Sequence, residues 1–238
     1  MRHQEASHEE WFAASKALLV KEKALSRMRD ELSEMRRALP WLKVAKPYEF
    51  ASSVGKKTLG DLFDGRSQLA IYHFMMAPDS NHICPGCSFL SDHVDAARMH
   101  FEHNDLSFCA VSRAPLSRIL EVKQRMGWQF NWVSSHSSDF NFDFQVSFTT
   151  EQIAKGNNFY NFEQRADESI GEAPGISMFY KDEDDQIFRT YSSYARGGEA
   201  VLGAYHWLDL APKGRNESST MNWVRLHDEY GQGPTHQH

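Results

Sequence analysis

Residues 69–89 read LAIYHFMMAPDSNHICPGCSF, and the fold is decided there. Leu69 to Met76 is apolar on both alternating faces apart from His73, the pattern of a central strand covered on both sides by helices. A polar loop, Ala77 to Ile83, leads into Cys84-Pro85-Gly86-Cys87, where a proline in the first helical turn loses no needed N–H. A C-x-x-C at the start of a helix that follows a buried strand is a site for dithiol chemistry. Cys84, at or just before the helix start, meets unpaired N–H groups and the positive end of the helix dipole, which favour the reactive thiolate. Cys87, about one turn further in, is better shielded, and Gly86 leaves room for a substrate backbone.

Working outward, the cysteine-bearing helix is expected from about Pro85 to His100. A second buried strand, Leu106 to Ser112, runs through Arg113-Ala114 into Pro115, which opens a helix whose apolar face carries Leu116, Ile119, Leu120 and Met126. Trp132 to Ser134 fits a short edge strand. Ile176 to Lys181 and Gln186 to Tyr191, on either side of the charged turn 182–185, read as a hairpin, and a shorter one is expected around Ser52 to Gly55. The sum is an α/β three-layer sandwich with a mixed central sheet, parallel through its first crossover and antiparallel at the late hairpin.

Residues 9–38 contain no Gly or Pro, and Leu18, Leu25, Leu32 and Leu39 recur seven apart with Met28 and Met35 between them. This heptad-like stripe fits either sealing of the helix onto its own domain or a homodimer through a second copy of it. The expected organisation is an N-terminal helical extension over 1–46, the main domain over 47–215 and a polar tail over 216–238, with a short helix between Met221 and Tyr230. In a chain of 238 residues with 41% hydrophobic content and a formal charge of −6, there is enough apolar surface for a full core and too little clustered positive charge for nucleic acid as a partner. The longest apolar runs fall far short of a bilayer span and the start lacks the apolar segment of a secretory signal, so no membrane association and a cytoplasmic location are expected.

Three cysteines make no disulfide framework, which leaves redox or metal chemistry for the C-x-x-C pair. Cys109, inside LSFCAVS, reads as an inert strand residue. His73, His82 and His93 flank the pair, so a Cys/His site for zinc or copper is the competing reading. His73 fits a core histidine bonded to a carbonyl or carboxylate, His82 a loop histidine able to stabilise the thiolate, and His93 a partly exposed helix residue. Trp128, Phe130, Trp132, Phe140, Phe142 and Phe144 fit core packing or an apolar pocket. Asp139, Asn141 and Asp143 lack the glycine and terminal glutamate of a calcium loop and read as turn groups.

Several longer segments carry a resemblance: Ala38-Leu39-Pro40-Trp41, DLFDGRSQLAIYHFMM at 61–76, CPGCSF at 84–89, VSRAPL at 111–116, RMGWQFNWVSS at 125–135, DFNFDF at 139–144, TYSSYARG at 190–197, LDLAPKGR at 208–215 and HDEY at 227–230. In these the chain resembles the thioredoxin-like proteins of the family called domain of unknown function 899, described as predicted dithiol-disulfide oxidoreductases or isomerases. The resemblance implies a thioredoxin-like domain over 47–215 and a reaction in which Cys84 attacks a disulfide and Cys87 releases the product. It implies a disulfide-containing substrate or a small thiol or disulfide as partner, and no cofactor. A proline opposite the cysteines is also implied, for which Pro174 is the nearest candidate. A more distant likeness is to peroxiredoxins, but Pro78 and Asn81 do not fit their proline and hydroxyl spacing before the cysteine, and Asn131 stands where a proline is expected. A non-catalytic interaction module on the same fold is a further alternative.

Overall fold

The computed structural model describes residues 4–165 and 171–231; residues 232–238 of the expected tail lie outside them. The chain divides into two units, Met1–Trp41 and Leu42–His238. In the first, helix α1 (His8–Arg37) fills the Gly- and Pro-free stretch. A capping box fixes its start: the Glu10 N–H donates to Ser7 Oγ at 3.3 Å and the Ser7 N–H donates to the Glu10 carboxylate at 2.8 Å, satisfying two of the donors a helix start leaves open. No side chain of α1 is buried.

The second unit runs β1 (Leu42–Lys43), β2 (Glu49–Ser52), β3 (Gly55–Thr58), β4 (Gln68–His73), α2 (Pro85–Ser91), α3 (Val94–His103), β5 (Leu106–Ser112), α4 (Leu116–Met126) and β6 (Asn131–Ser134). It continues through the short helices α5 (Phe140–Asp143) and α6 (Thr150–Ala154), the ribbon β7 (Asn158–Tyr160) and β8 (Glu163–Arg165), the hairpin β9 (Gly175–Lys181) and β10 (Ile187–Tyr194), and α7 (Gly203–Leu210). The main sheet has the order β1-β10-β9-β4-β5-β6-β2-β3. β4, β5 and β6 are parallel and joined by helical crossovers, while β9 pairs antiparallel with β4 and β10 with β9. Two parallel strands joined by a helix, with an antiparallel hairpin added on the other side of the first strand, form the thioredoxin-like core of a mixed α/β sheet.

Because β4 and β5 are covered on both faces, alternate residues enter two different cores. Ala70, Tyr72, Phe108 and Ala110 face the layer that holds both C-x-x-C cysteines, Leu90, Ile119 and Tyr205. Leu69, Ile71, Cys109 and Val111 face a second layer with Phe50, Phe63 and Phe140. That second layer is built from α5, the 3-10 turn Gly60–Phe63 and loops rather than from long helices. Its wide aromatic side chains, with Phe140 and Phe144 centred 4.4 Å apart, supply area that short elements otherwise lack.

Three expectations are corrected. The helix expected over Pro85–His100 is two helices, α2 and α3, because His93 interrupts it: its Nδ1 donates to the Phe89 carbonyl at 2.6 Å and its Nε2 accepts the Ala204 N–H at 3.0 Å. A side chain bonded to the preceding turn competes with the helical ladder. Asp92, at the break, is held by Trp128 Nε1 and His227 Nδ1, each at 2.7 Å. Strand β6 is internal rather than an edge, since Ala51 of β2 pairs with Ser134. The expected helix at 221–230 is a 3-10 turn at His227–Glu229.

Candidate active site

The site is built at the C-terminal end of β4, the usual place for chemistry in an open α/β sheet. Cys84 is the N-cap of α2, with extended backbone at φ −65° and ψ 117°. Pro85 takes the first helical position, which leaves the Cys87 N–H free to donate to Cys84 Sγ at 3.3 Å. The two thiols also influence each other's titration. Among the described residues all peptide bonds are trans, including that into Pro174.

These contacts set the two sulfurs apart. The Cys87 thiol hydrogen bond, together with the N–H groups of Cys87 and Gly86, outweighs burial and lowers the Cys84 pKa from 9.0 to about 7. Cys87 moves the opposite way: burial and the neighbouring Cys84 sulfur push its thiol well up. Two donors work against that rise, the Tyr72 hydroxyl and the Met75 N–H, the latter 3.4 Å from Cys87 Sγ. Tyr72 is itself buried and keeps its proton, its pKa raised by burial and by the adjoining sulfurs. Exposure follows the same division, with Cys84 8% accessible and Cys87 1%.

Cys84 stands between two clefts. One, of about 550 Å³, is walled mainly by apolar side chains, among them Met75, Leu90, Ile176, Leu202 and Val224, and Pro174 lies on it beside both cysteines. The other, of about 700 Å³, is polar and reaches His82, Asp79, Arg113 and Glu172. Its floor is the ion pair Arg113–Glu172 at 2.8 Å, with the guanidinium 4.3 Å above the Phe142 ring and the Ser147 hydroxyl donating to Glu172 at 2.5 Å. Burial raises the Glu172 pKa against the pull of those two partners.

The histidines do not gather around the thiols. His73 follows Tyr72 in β4 and therefore faces the opposite layer, where its ring stacks 5.5 Å from Phe140 and Nε2 bonds Ser177 Oγ at 2.9 Å. Its partner is thus a hydroxyl rather than a carbonyl or carboxylate. Burial, with the Arg189 charge, lowers its pKa to about 3. His93 spends both ring nitrogens on main chain, and His82 is exposed on the polar cleft. Among the described residues no three His, Cys, Asp or Glu side chains are grouped to hold a metal ion. Cys109 also faces the opposite layer, and burial pushes its thiol up to about 12.

Two parts of the site were absent from the reading of the sequence. Tyr72 was legible in principle, because strand alternation puts it on the face opposite His73 and at the end of β4 nearest the cysteines. The cover supplied by residues 220–225 had no periodic signal: Met221 has a left-handed φ of 60° and its Sδ would lie 3.1 Å from a Cβ placed on Gly86.

A thioredoxin-like sheet with a C-P-G-C pair at the first crossover helix defines the class of the protein. The chain belongs to the family described as bacterial protein of unknown function (DUF899), whose model matches residues 1–230. No curated protein matches it. Among solved structures it is similar to the peroxidoxin BcpB of Mycobacterium tuberculosis, at 12% identity and TM-score 0.46 over 70% of this chain and 94% of that one. It is also similar to a peroxiredoxin Q of Xanthomonas campestris, at 20% identity and TM-score 0.45 over 71% and 96%, and to the PrxQ of Xylella fastidiosa, at 18% and 0.43 over 67% and 88%.

Proposed function

We propose that the protein is a dithiol-disulfide oxidoreductase in which Cys84 is the attacking thiolate and Cys87 the resolving thiol. The observation that carries this reading is the asymmetry of the pair: Cys84 caps α2 and opens onto two clefts, while Cys87 lies buried one turn behind it; the direction of the two pKa shifts agrees. An attacking thiol is fastest when its pKa lies near ambient pH, since a lower value sacrifices nucleophilicity and a higher one sacrifices thiolate population.

In the first step Cys84 thiolate attacks one sulfur of a disulfide RSSR, forming the Cys84–S–S–R bond and releasing RS⁻. The Cys84 charge and its hydrogen bond to Cys87, both of which hold the Cys87 proton on, are then gone. The Tyr72 hydroxyl and Met75 N–H remain to receive charge on Cys87 as it deprotonates. Cys87 thiolate attacks Cys84 Sγ, closes the Cys84–Cys87 disulfide and releases the second RS⁻. The two thiol protons end on the two leaving thiolates, two electrons pass to RSSR, and a thiol reductant restores the pair.

No helix of the described residues is long and apolar enough to cross a membrane. A cytoplasmic location is part of the proposal, supported by a cysteine content of three, which makes no disulfide framework of the kind oxidising compartments favour. A homodimer through α1 is a further part, supported by the exposed heptad stripe of Leu18, Leu25, Met28, Leu32 and Met35.

The test is a redox titration of the metal-analysed protein in dithiothreitol or glutathione buffers, with free thiols trapped and located by mass spectrometry. A reversible two-electron transition confined to Cys84 and Cys87, lost in Cys84→Ser and in Cys87→Ser, is the expected result. Thiols that never pair, or that carry zinc or copper, would overturn it.

A further inference from the structure

The apolar cleft beside Cys84 carries an inference about what is reduced there, and it rests on the dithiol reading above. We infer that the substrate is a small, non-peptide disulfide with an apolar arm, seated in the cleft walled by Ile176, Leu202, Met221 and Val224 with its sulfur at Cys84.

An extended polypeptide is recognised by strand addition, which needs a run of free N–H and C=O groups beside the reacting sulfur. Here part of the main chain leading to Pro174 is already paired by the protein itself. The Ala173 N–H donates to the Val146 carbonyl at 2.8 Å and the Phe148 N–H donates to the Gly171 carbonyl at 3.1 Å, the two bonds that make the bridge between Ser147 and Glu172. The Pro174 carbonyl accepts the Tyr160 hydroxyl at 2.7 Å. From Gly175 onward the chain is β9, held between β4 and β10. The Ala173 N–H and the carbonyls of Gly171 and Pro174 are therefore spent within the protein, which shortens the run an extended substrate could pair with.

The volume of the apolar cleft, about 550 Å³, lies within the range of small-molecule sites, roughly 300–1,000 Å³. Leu202 and Val224 come from segments remote from the cysteines in sequence and are both nearly inaccessible to solvent. Met75 and Met221 add flexible thioether walls that adapt to an irregular apolar ligand. Met221 is positioned from behind: Glu217 Oε1 accepts the Tyr205 hydroxyl at 2.6 Å, the Trp223 indole N–H at 3.1 Å and the Met221 N–H at 3.2 Å. That carboxylate fixes the turn that brings Met221 over Gly86. At the rim Glu199 pairs with Arg196 at 2.6 Å and with Arg215 at 3.0 Å, and the Arg225 guanidinium donates to the Asn222 and Val224 carbonyls at 3.1 and 2.8 Å. The interior thus selects by apolar area.

A series of bis(ω-hydroxyalkyl) disulfides, from hydroxyethyl to hydroxyhexyl, tests this in single turnover with the reduced full-length protein. Intrinsic disulfide reactivity is nearly constant along the series, and a C-P-G-C peptide serves as the reference thiol. The expected result is a second-order rate constant that rises about three- to four-fold per methylene relative to the peptide, with oxidised glutathione well below the longer members. Met221→Gln flattens that dependence and Met221→Leu preserves it, with unfolding midpoints showing that both variants fold. Exchange at ordinary rates with no chain-length dependence, or a preference for oxidised glutathione, overturns the substrate class while the dithiol reading stands. If no disulfide oxidises the pair, both fall together.

Discussion

The Met75 N–H donates to Cys87 Sγ at 3.4 Å, and the Tyr72 side chain, which lines the same cleft as Cys87, also favours charge on that sulfur. Tyr72 acts through Cys87, so it is a positioning residue for the second half of exchange. Tyr72→Phe keeps the ring and removes the donor. One hydrogen bond to a developing thiolate is worth about 1.4 kcal/mol, so resolution should slow about ten-fold. Quenched-flow trapping should then show the Cys84 mixed disulfide accumulating while the first step keeps its rate. An unchanged lifetime for that species removes Tyr72 from the mechanism.

The pH dependence of thiol reactivity tests the origin of the low Cys84 pKa. Alkylation of Cys84 by iodoacetamide should half-titrate near pH 7 and fall about ten-fold per unit below it, as the thiolate is protonated. The hydrogen bond from the Cys87 thiol is the largest cause of the shift, so Cys87→Ala should move the midpoint up toward the ordinary 9.0. A Cys87→Ala protein that still titrates near 7 would assign the effect to the N–H groups of the helix start alone. Cys109, pushed up to about 12, should stay unmodified in the native protein throughout.

How much of this was legible in the sequence follows from which interactions are local. The run Leu69–Met76 and the turn Cys84–Cys87 are governed by side-chain period and by proline at a helix start, so strand, cap and thiol roles could be argued from neighbouring residues. The break between α2 and α3 could not, because it depends on His93 bonding Ala204, a residue far along the chain. The internal place of β6 depends likewise on pairing with β2 from the opposite end of the unit. The cleft draws its walls from Tyr72 through Arg225, and its cover at 220–225 is irregular backbone with no period to detect. A site assembled from distant segments leaves its chemistry in the sequence and its shape outside it.

His73 makes acid stability measurable at one residue. Its pKa is about 3 when folded against 6.5 for the free side chain, so between these values the unfolded chain binds a proton that the folded one refuses. Stability from this group is fully present above pH 6.5 and declines as pH falls toward 3, below which no further loss arises. At pH 4.5 the loss is about 2–3 kcal/mol. Urea unfolding at pH 7 and pH 4.5 should show it, and His73→Gln should lose most of the difference. Equal pH sensitivity in the variant would place acid lability elsewhere.

Gly175 opens β9 beside Pro174 and the apolar cleft, and the packing there leaves no space for a side chain. A Cβ would meet the Tyr194 ring at 2.9 Å and Val146 Cγ1 at 3.2 Å. Tyr194 has little room to give, since its hydroxyl donates to the Phe144 carbonyl at 3.1 Å and it also packs 5.4 Å from the Tyr160 ring. Overpacking of this kind costs about 1–3 kcal/mol. Gly175→Ala should lower the unfolding midpoint accordingly and slow exchange with apolar disulfides, because Ile176 follows it directly. A neutral effect on both would show that Tyr194 can repack.

The heptad stripe of α1 gives the last test. Leu18, Leu25, Met28, Leu32 and Met35 are all exposed on one side of a helix of 30 residues in which no side chain is buried. Isolated helices derive little stability from propensity alone and most from packing of an apolar face. Pairing of two such helices through this seam would bury the stripe and account for its seven-residue repeat. Sedimentation equilibrium should report a dimer. Leu25→Glu with Leu32→Glu, which removes about 2 kcal/mol of apolar burial at each site and sets like charges across the seam, should weaken association on the order of a hundred-fold or more. Because the thiols belong to the other unit, the Cys84–Cys87 potential should be the same in the monomer, and a wild-type chain that sediments as a monomer at high concentration would exclude this role for α1.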